Sequence, residues 1–341
     1  MRAAVLREGR IVVRETPDPV PGPGELLVRT RSTAICASDV HFMDHPETIE
    51  GDPRYLYDPD RDIVMGHEFV GEVVGHGPDC SDAYPVGTRV TSMPVLLKNG
   101  QSRVIGQHPD APGSFGERFL VTERMARAVP DGVPDDAVAL VDPFAVGEYY
   151  VRASAIAGDE VAIVLGAGAI GLSAVAALKV RGVESIIVSD YHAERRALAA
   201  TFGATELVDP KERTPFEAYE AVLAARGLRT PPVVIECVGA AGLLQSVIDA
   251  CPYRTRIYAA GGHYTGDSIS VTAASQKGVL VQFAGGPEMV DWYGTLDAVC
   301  EGRLDPTPAI GEVVTLDELP QRLGMTRRSE GPPRIIVHPW A

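Results

Sequence analysis

The sequence predicts an α/β fold: a doubly wound parallel sheet joined to a β-rich N-terminal domain. Three observations predict it. From residue 161 onward, apolar runs of strand length alternate with segments of helix length. Before residue 150, short β-rich runs are punctuated by turns such as Pro21-Gly22-Pro23-Gly24 and Pro85-Val86-Gly87. Where the texture changes, an apolar run meets Gly166-Ala167-Gly168-Ala169-Ile170-Gly171, and a helix-forming segment, a second strand and Asp190 follow.

In the N-terminal part, residues 3–6, 11–14, 25–33, 69–74, 87–91 and 119–121 are the strand candidates, and short, evenly punctuated strands suggest a barrel or sandwich. Segment 43–62 interrupts them with Pro46, Pro53 and Pro59 and seven acidic residues. A strand-poor stretch of this length reads as a solvated surface loop, a lid or a subunit contact. Strands follow at 161–165, 185–189, 206–208, 233–237, 256–260 and 279–283, with helices at 170–181, 193–202, 215–225 and 241–250. A helical stretch at 289–301 and a last strand at 334–338 form a tail that returns to the first domain.

The glycine turn carries the first chemical reading. One glycine makes the tight turn, one lets the backbone approach a pyrophosphate, and one lets the helix pack close on the strand. The helix N-terminus presents free N–H groups to the phosphates. Asp190 stands 19 residues beyond Gly171, where a carboxylate accepts hydrogen bonds from the adenosine ribose. A 2′-phosphate there would be repelled, so NAD is expected over NADP. Arg195 and Arg196 are a mild counter-signal; five residues into a helix, they flank the adenosine or face water.

The formal net charge of −15 argues against nucleic acid and anionic membrane surfaces as partners. Segment 161–178 has 18 residues without a charge, the threshold length for a membrane span, but its glycines split it into strand and helix. The N-terminus carries early charge and no apolar signal segment. Five cysteines, an odd number with no C-x-x-C, suggest a reducing, cytoplasmic setting.

In the first domain, Cys36, Ser38, Asp39 and His41 fall within six residues, Gly66-His67-Glu68 follows, and Asp142-Pro143 closes the domain. By spacing alone Cys36, His67 and Asp142 are too dispersed for a local metal motif. A lone cysteine is usually a small buried hydrophobe, and a lone histidine an ordinary core or surface residue.

These motifs, with Gly87-x-Arg89-Val90, Gly113-Ser-Phe-Gly-Glu117, Asp142-Pro-Phe-Ala-Val-Gly147 and Glu236-Cys-Val-Gly239, run nearly end to end in the order found in zinc-dependent medium-chain dehydrogenases/reductases, the alcohol and polyol dehydrogenase family, which the chain resembles. The resemblance implies a GroES-like β-barrel catalytic domain over residues 1–145, a Rossmann NAD-binding domain over 146–285, and the return of 286–341 to the first. It implies one catalytic Zn2+ on Cys36 and His67, with Asp142 at the third position and Glu68 a neighbouring group or direct ligand. Asp39 would orient the ligand histidine. Ser38 would bind the alcohol oxygen and pass its proton toward His41. Gly166, Gly168, Ile170, Gly171, Asp190, Arg195 and Val238 would line the cofactor.

There is no cysteine between Thr91 and Gly113, so the four-cysteine structural zinc of many relatives is expected to be absent. The resulting expectation is an enzyme interconverting a secondary alcohol or polyol with its ketone, using NAD, as a homodimer or homotetramer. The alternatives are a zinc-free quinone or enoyl reductase, which would lack the Cys36, His67 and Asp142 trio, and an NAD(H)-binding sensor or structural protein without turnover. Tyr149, Tyr150, Phe283 and Trp292 are candidates for a substrate wall or for core packing.

Overall fold

The computed structural model describes every residue except Asp82, His263, Tyr264, Thr265, Ala284, Ser329 and Glu330. The chain divides into two units: Met1–Asp142 with Leu296–Ala341, and Pro143–Thr295.

The second unit is built on a six-stranded parallel sheet. From edge to edge its strands are Glu206–Val208, Ser185–Ser189, Val161–Leu165, Val233–Glu236, Arg256–Ala259 and Leu280–Phe283. In sequence order this is 3-2-1-4-5-6, the doubly wound Rossmann arrangement, which reverses direction between Val161–Leu165 and Val233–Glu236. Every residue of the three strands around that point is buried, as a sheet covered on both faces requires. The uncharged 161–178 run does divide, into Val161–Leu165 and helix Ala169–Val180. Among the described residues no helix is long and apolar enough to cross a membrane.

Local chemistry sets the helix ends. Thr214 and Glu217 form a reciprocal capping box around Pro215 at the start of Pro215–Arg226, and Gly227 closes the helix in the left-handed region. Helix Val271–Lys277 is not among the sequence expectations. Its signals are Ser270, whose hydroxyl accepts from the Ala273 N–H at 3.2 Å, and Gly278 at the other end. Trp292 is 1% exposed, which makes it a packing residue.

The first unit centres on strand Glu25–Ala34. It pairs antiparallel with Glu68–His76, Arg118–Thr122 and Arg334–His338, so the C-terminal tail joins this sheet. The register sets Ala34 opposite both Glu68 and Ile336, and thereby brings the end of Glu25–Ala34, the start of Glu68–His76 and the middle of Arg334–His338 to one place.

Segment 43–62 is tied down along its length. It contains the end of helix Ala37–Asp44 and the short 3-10 helix Pro46–Ile49. It then runs beside the hairpin of Val95–Lys98 and Gln101–Val104. The Val104 N–H donates to the Arg54 carbonyl at 2.9 Å, and the Leu56 N–H to the Gln107 carbonyl at 3.2 Å. Arg103 reaches the Pro53 carbonyl at 3.1 Å, Arg61 pairs with Asp110 at 2.7 Å, and the Tyr57 ring packs edge-on against Phe42. The hairpin occupies the cysteine-free stretch between Thr91 and Gly113, and this acidic strap holds it through main-chain bonds.

Candidate functional site

The strand register builds the first part of the site. Cys36 follows strand Glu25–Ala34 by two residues and His67 precedes strand Glu68–His76 by one, so pairing Ala34 with Glu68 brings them together. Cys36 caps helix Ala37–Asp44, and its N–H donates to Asp39 Oδ2 at 3.1 Å. Residues 65–67 are held by segment 113–115, through Ser114 N–H to the Gly66 carbonyl (3.0 Å) and Phe115 N–H to that of Met65 (2.8 Å).

Ligand atoms of Cys36, His67 and Glu68 lie within 4.8 Å of one another. His67 Nδ1 is 3.0 Å from Asp39 Oδ1, which fixes the ring and leaves Nε2 toward the group. Ser38 Oγ donates to Cys36 Sγ at 3.1 Å and lies 3.0 Å from His67 Nε2. Asp142 belongs to the same unit, in the first turn of helix Val141–Ser154, and is not one of these three residues. His41 is half-buried with its ring centroid 5.0 Å from that of His45; burial first, then His45, lowers its pKa.

Arg334, which the sequence reading passed over, completes the charge balance. It is 3% exposed, and its Nη1 lies 3.3 Å from Glu68 Oε1 and donates to the Ile35 carbonyl at 3.3 Å. The available signal was a cation opening strand Arg334–His338, just before its apolar run Ile335-Ile336-Val337. Burial pushes the Cys36 thiol up, but His67 and Arg334 pull it down to about 6, toward the thiolate. Burial alone would lower His67, yet Asp39 and Cys36 raise it well above its ordinary value. Burial pushes the Glu68 carboxyl up against the pull of Arg334.

This donor set fits zinc: a thiolate sulfur, an imidazole nitrogen held by a carboxylate, and a buried carboxylate oxygen. Glu68 Oε1 is buried and receives no hydrogen bond.

The second part belongs to the Rossmann unit. Gly166 has φ +88° at the end of its strand, and a side chain at Gly171 would fall 1.8 Å from the Gly166 carbonyl oxygen. Gly168 caps helix Ala169–Val180, and a Cβ there would meet nothing within 4 Å, leaving the cradle a pyrophosphate would fill. Asp190 is buried. Its Oδ2 accepts the Ala167 N–H at 2.8 Å, and its Oδ1 the His192 N–H at 2.8 Å. Burial opposes ionisation, but these bonds from His192 and Ala167 lower its pKa. Arg196 is engaged with the Asp190 carbonyl (2.7 Å) and Asp209 (3.1 Å), while Arg195 adds only its charge near Asp190. Ile170 is half-buried in the first turn of the helix, and Val238 is 50% exposed.

Comparison with known proteins adds the family context. The sequence model described as "Zinc-binding dehydrogenase" matches residues 169–299, and that described as "Alcohol dehydrogenase GroES-like domain" matches residues 22–131. L-threonine 3-dehydrogenase of Escherichia coli strain K12 is 28% identical, over 98% of this chain and 97% of its own. The structure of 2R,3R-butanediol dehydrogenase from Bacillus subtilis superposes with a TM-score of 0.84 at 26% identity, covering 99% of both chains. A protein from Sinorhizobium meliloti 1021, solved bound to NADP, gives a TM-score of 0.84 at 27% identity, again over 99% of both.

Proposed function

Because this chain belongs to the zinc-binding dehydrogenase family of alcohol-type oxidoreductases, with a GroES-like domain and a Rossmann domain, we propose that it is a zinc-dependent, NAD-linked dehydrogenase. It interconverts a secondary alcohol or polyol with its ketone. The observation that carries this reading is the grouping of Cys36, His67 and Glu68 ligand atoms within 4.8 Å, with Ser38 Oγ against two of them.

Cys36 and His67 would hold a single Zn2+, with the carboxylate donor from Glu68 or Asp142. When bound, zinc supplies Lewis-acid polarisation of the substrate oxygen, and NAD supplies the hydride acceptor. The chain's own residues orient and move the proton. Asp39 fixes the His67 ring. Ser38 Oγ would accept the hydroxyl proton of the alcohol as it passes its own on, through the ribose hydroxyls of the cofactor, toward His41. Burial, then the charge of His45, lowers the His41 pKa, so the ring presents an unprotonated nitrogen to the relay and releases the proton readily. The ionised, buried Asp190 supports NAD over a cofactor with a 2′-phosphate. The outermost strand of the Rossmann sheet leaves Leu280 46% and Phe283 60% exposed, which supports a homodimer or homotetramer.

The test is metal analysis of the purified protein together with an alcohol, diol and sugar screen read by NADH absorbance, with NAD and NADP in parallel. One zinc per chain and NAD reduction by secondary alcohols, both lost in Cys36→Ala, are expected. Activity that survives chelation without bound zinc would instead assign a quinone or enoyl reductase. NADH binding without turnover on any substrate would assign a sensor.

A further inference from the structure

We infer that Glu236 is a positioning residue that fixes the two turns beside the glycine loop and through them sets the affinity for the dinucleotide. This rests on the reading that the Rossmann unit binds NAD. Glu236 ends strand Val233–Glu236, fully buried, with Leu165 opposite it on one side and Ala259 on the other. It therefore stands where the strand order reverses, the place where such sheets open their ligand crevice.

Four backbone amides from two turns converge on this residue. Its carboxylate Oε1 accepts the N–H of Val238 at 2.6 Å and of Gly239 at 2.9 Å. Its main-chain carbonyl accepts the N–H of Ala260 at 2.7 Å and of Gly261 at 2.8 Å. The next residue, Cys237, donates its N–H to the Leu165 carbonyl at 2.9 Å, fastening the same turn to the strand that leads into Gly166.

A carboxylate is a costly group to bury, and the strand itself does not require one. The residues level with it on the neighbouring strands are Leu165 and Ala259. What it provides is charge-assisted hydrogen bonding to the Val238 and Gly239 amides, which lie beyond the end of the strand ladder. That turn carries Val238, whose Cγ2 covers Gly166 so closely that a Cβ there would lie 2.7 Å away. Val238 is nonetheless 50% exposed, an apolar face kept beside the pyrophosphate loop. Without the carboxylate, two amides lose their acceptor, the 237–239 turn loosens and Val238 leaves Gly166. Ser38, His67 and Asp39 belong to the other unit and are untouched.

The test uses the full-length protein and three variants, Glu236→Ala, Glu236→Asp and Glu236→Gln. NADH binding is followed by fluorescence titration, steady-state kinetics by varying NAD, and the Val238 and Gly239 amides by hydrogen exchange. Glu236→Ala should raise the NADH Kd and the NAD KM by about tenfold, the scale of an unmet buried hydrogen bond, with kcat little changed. Glu236→Gln keeps an acceptor oxygen and should restore most of the affinity, while exchange at Val238 and Gly239 quickens only in the alanine and aspartate variants. If Glu236→Ala does not fold, Glu236→Asp, which withdraws the carboxylate by one methylene, carries the same expectation. Wild-type NADH affinity in Glu236→Ala, or in Glu236→Asp where alanine does not fold, would overturn the inference alone. A wild-type protein that binds no NADH would overturn the cofactor reading and this inference with it.

Discussion

His67 turns its Nδ1 to the Asp39 carboxylate at 3.0 Å, and both residues are buried. The bond fixes the ring and its tautomer, so Nε2 is the nitrogen available to a metal. Asp39→Asn should therefore weaken zinc retention by about 10- to 100-fold without unfolding the domain. Competition against a chromophoric chelator measures this directly, and unchanged zinc affinity would remove Asp39 from that role.

Asp190, the proposed ribose acceptor, is buried and bonds the glycine turn through the Ala167 N–H. Asp190→Ala should raise the KM for NAD by about tenfold, and Asp190→Asn, which retains an acceptor, by less. Both should narrow the preference for NAD over NADP, because the repulsion of a 2′-phosphate is gone. Steady-state kinetics with both cofactors would show it; an unaltered NAD:NADP ratio would count against Asp190 as the discriminator.

His338 Nε2 lies 2.8 Å from Asp136 Oδ1, and Ser32 Oγ donates to the same oxygen at 2.7 Å. The Asp136 bond raises the His338 pKa, helped by the charge of Asp135, while burial works against it. Burial alone would raise Asp136, but the bonds from His338 and Ser32 lower it. The histidine contribution is complete below its unfolded pKa of about 6.5 and disappears as pH rises through the higher folded value. The aspartate contribution is present above about 3.8 and disappears as pH falls through the lower folded value. The pair thus stabilises most between about pH 4 and 6.5. Since both side chains are about one-third exposed, the effect is discounted to about half a kcal/mol. His338→Gln should lower Tm at pH 5.5 and leave it unchanged at pH 9. A loss equal at both pH values would mean packing, not charge, is responsible.

The strap ties the cysteine-free hairpin through the Arg54 and Gln107 carbonyls. Amide exchange at Val104 and Leu56 should accordingly stay slow after treatment with a chelator, and deletion of 46–60 should make the hairpin amides exchange freely. Rapid exchange at Val104 on chelation alone would show that a metal holds this lobe.

The Rossmann unit was largely legible because its signals are local. Glycines of special conformation, buried strands in continuous apolar runs, and an acid at a fixed spacing are all visible within one βαβ stretch. Most short strands of the first domain were also legible, but strand Ile310–Thr315, helices Ala37–Asp44, Val271–Lys277 and Leu319–Arg327, and hairpin Val95–Lys98/Gln101–Val104 were not. Their few residues carry too little periodicity, and the hairpin is held by a strap distant in sequence.

Sequence by itself determined the fold class, the dinucleotide turn and the residue types able to bind a metal. Only the tertiary structure decided which of them meet. Cys36 and His67 approach because Ala34 pairs with Glu68, and Arg334 arrives because Ile336 pairs with Ala34 from the far end of the chain. The physical reason is that strand register is a long-range choice made by packing: a slip of one residue would turn each of these side chains to the opposite face. The same holds for Glu236, whose place in a motif was visible, but whose hold on two separate turns depends on the strands either side of it.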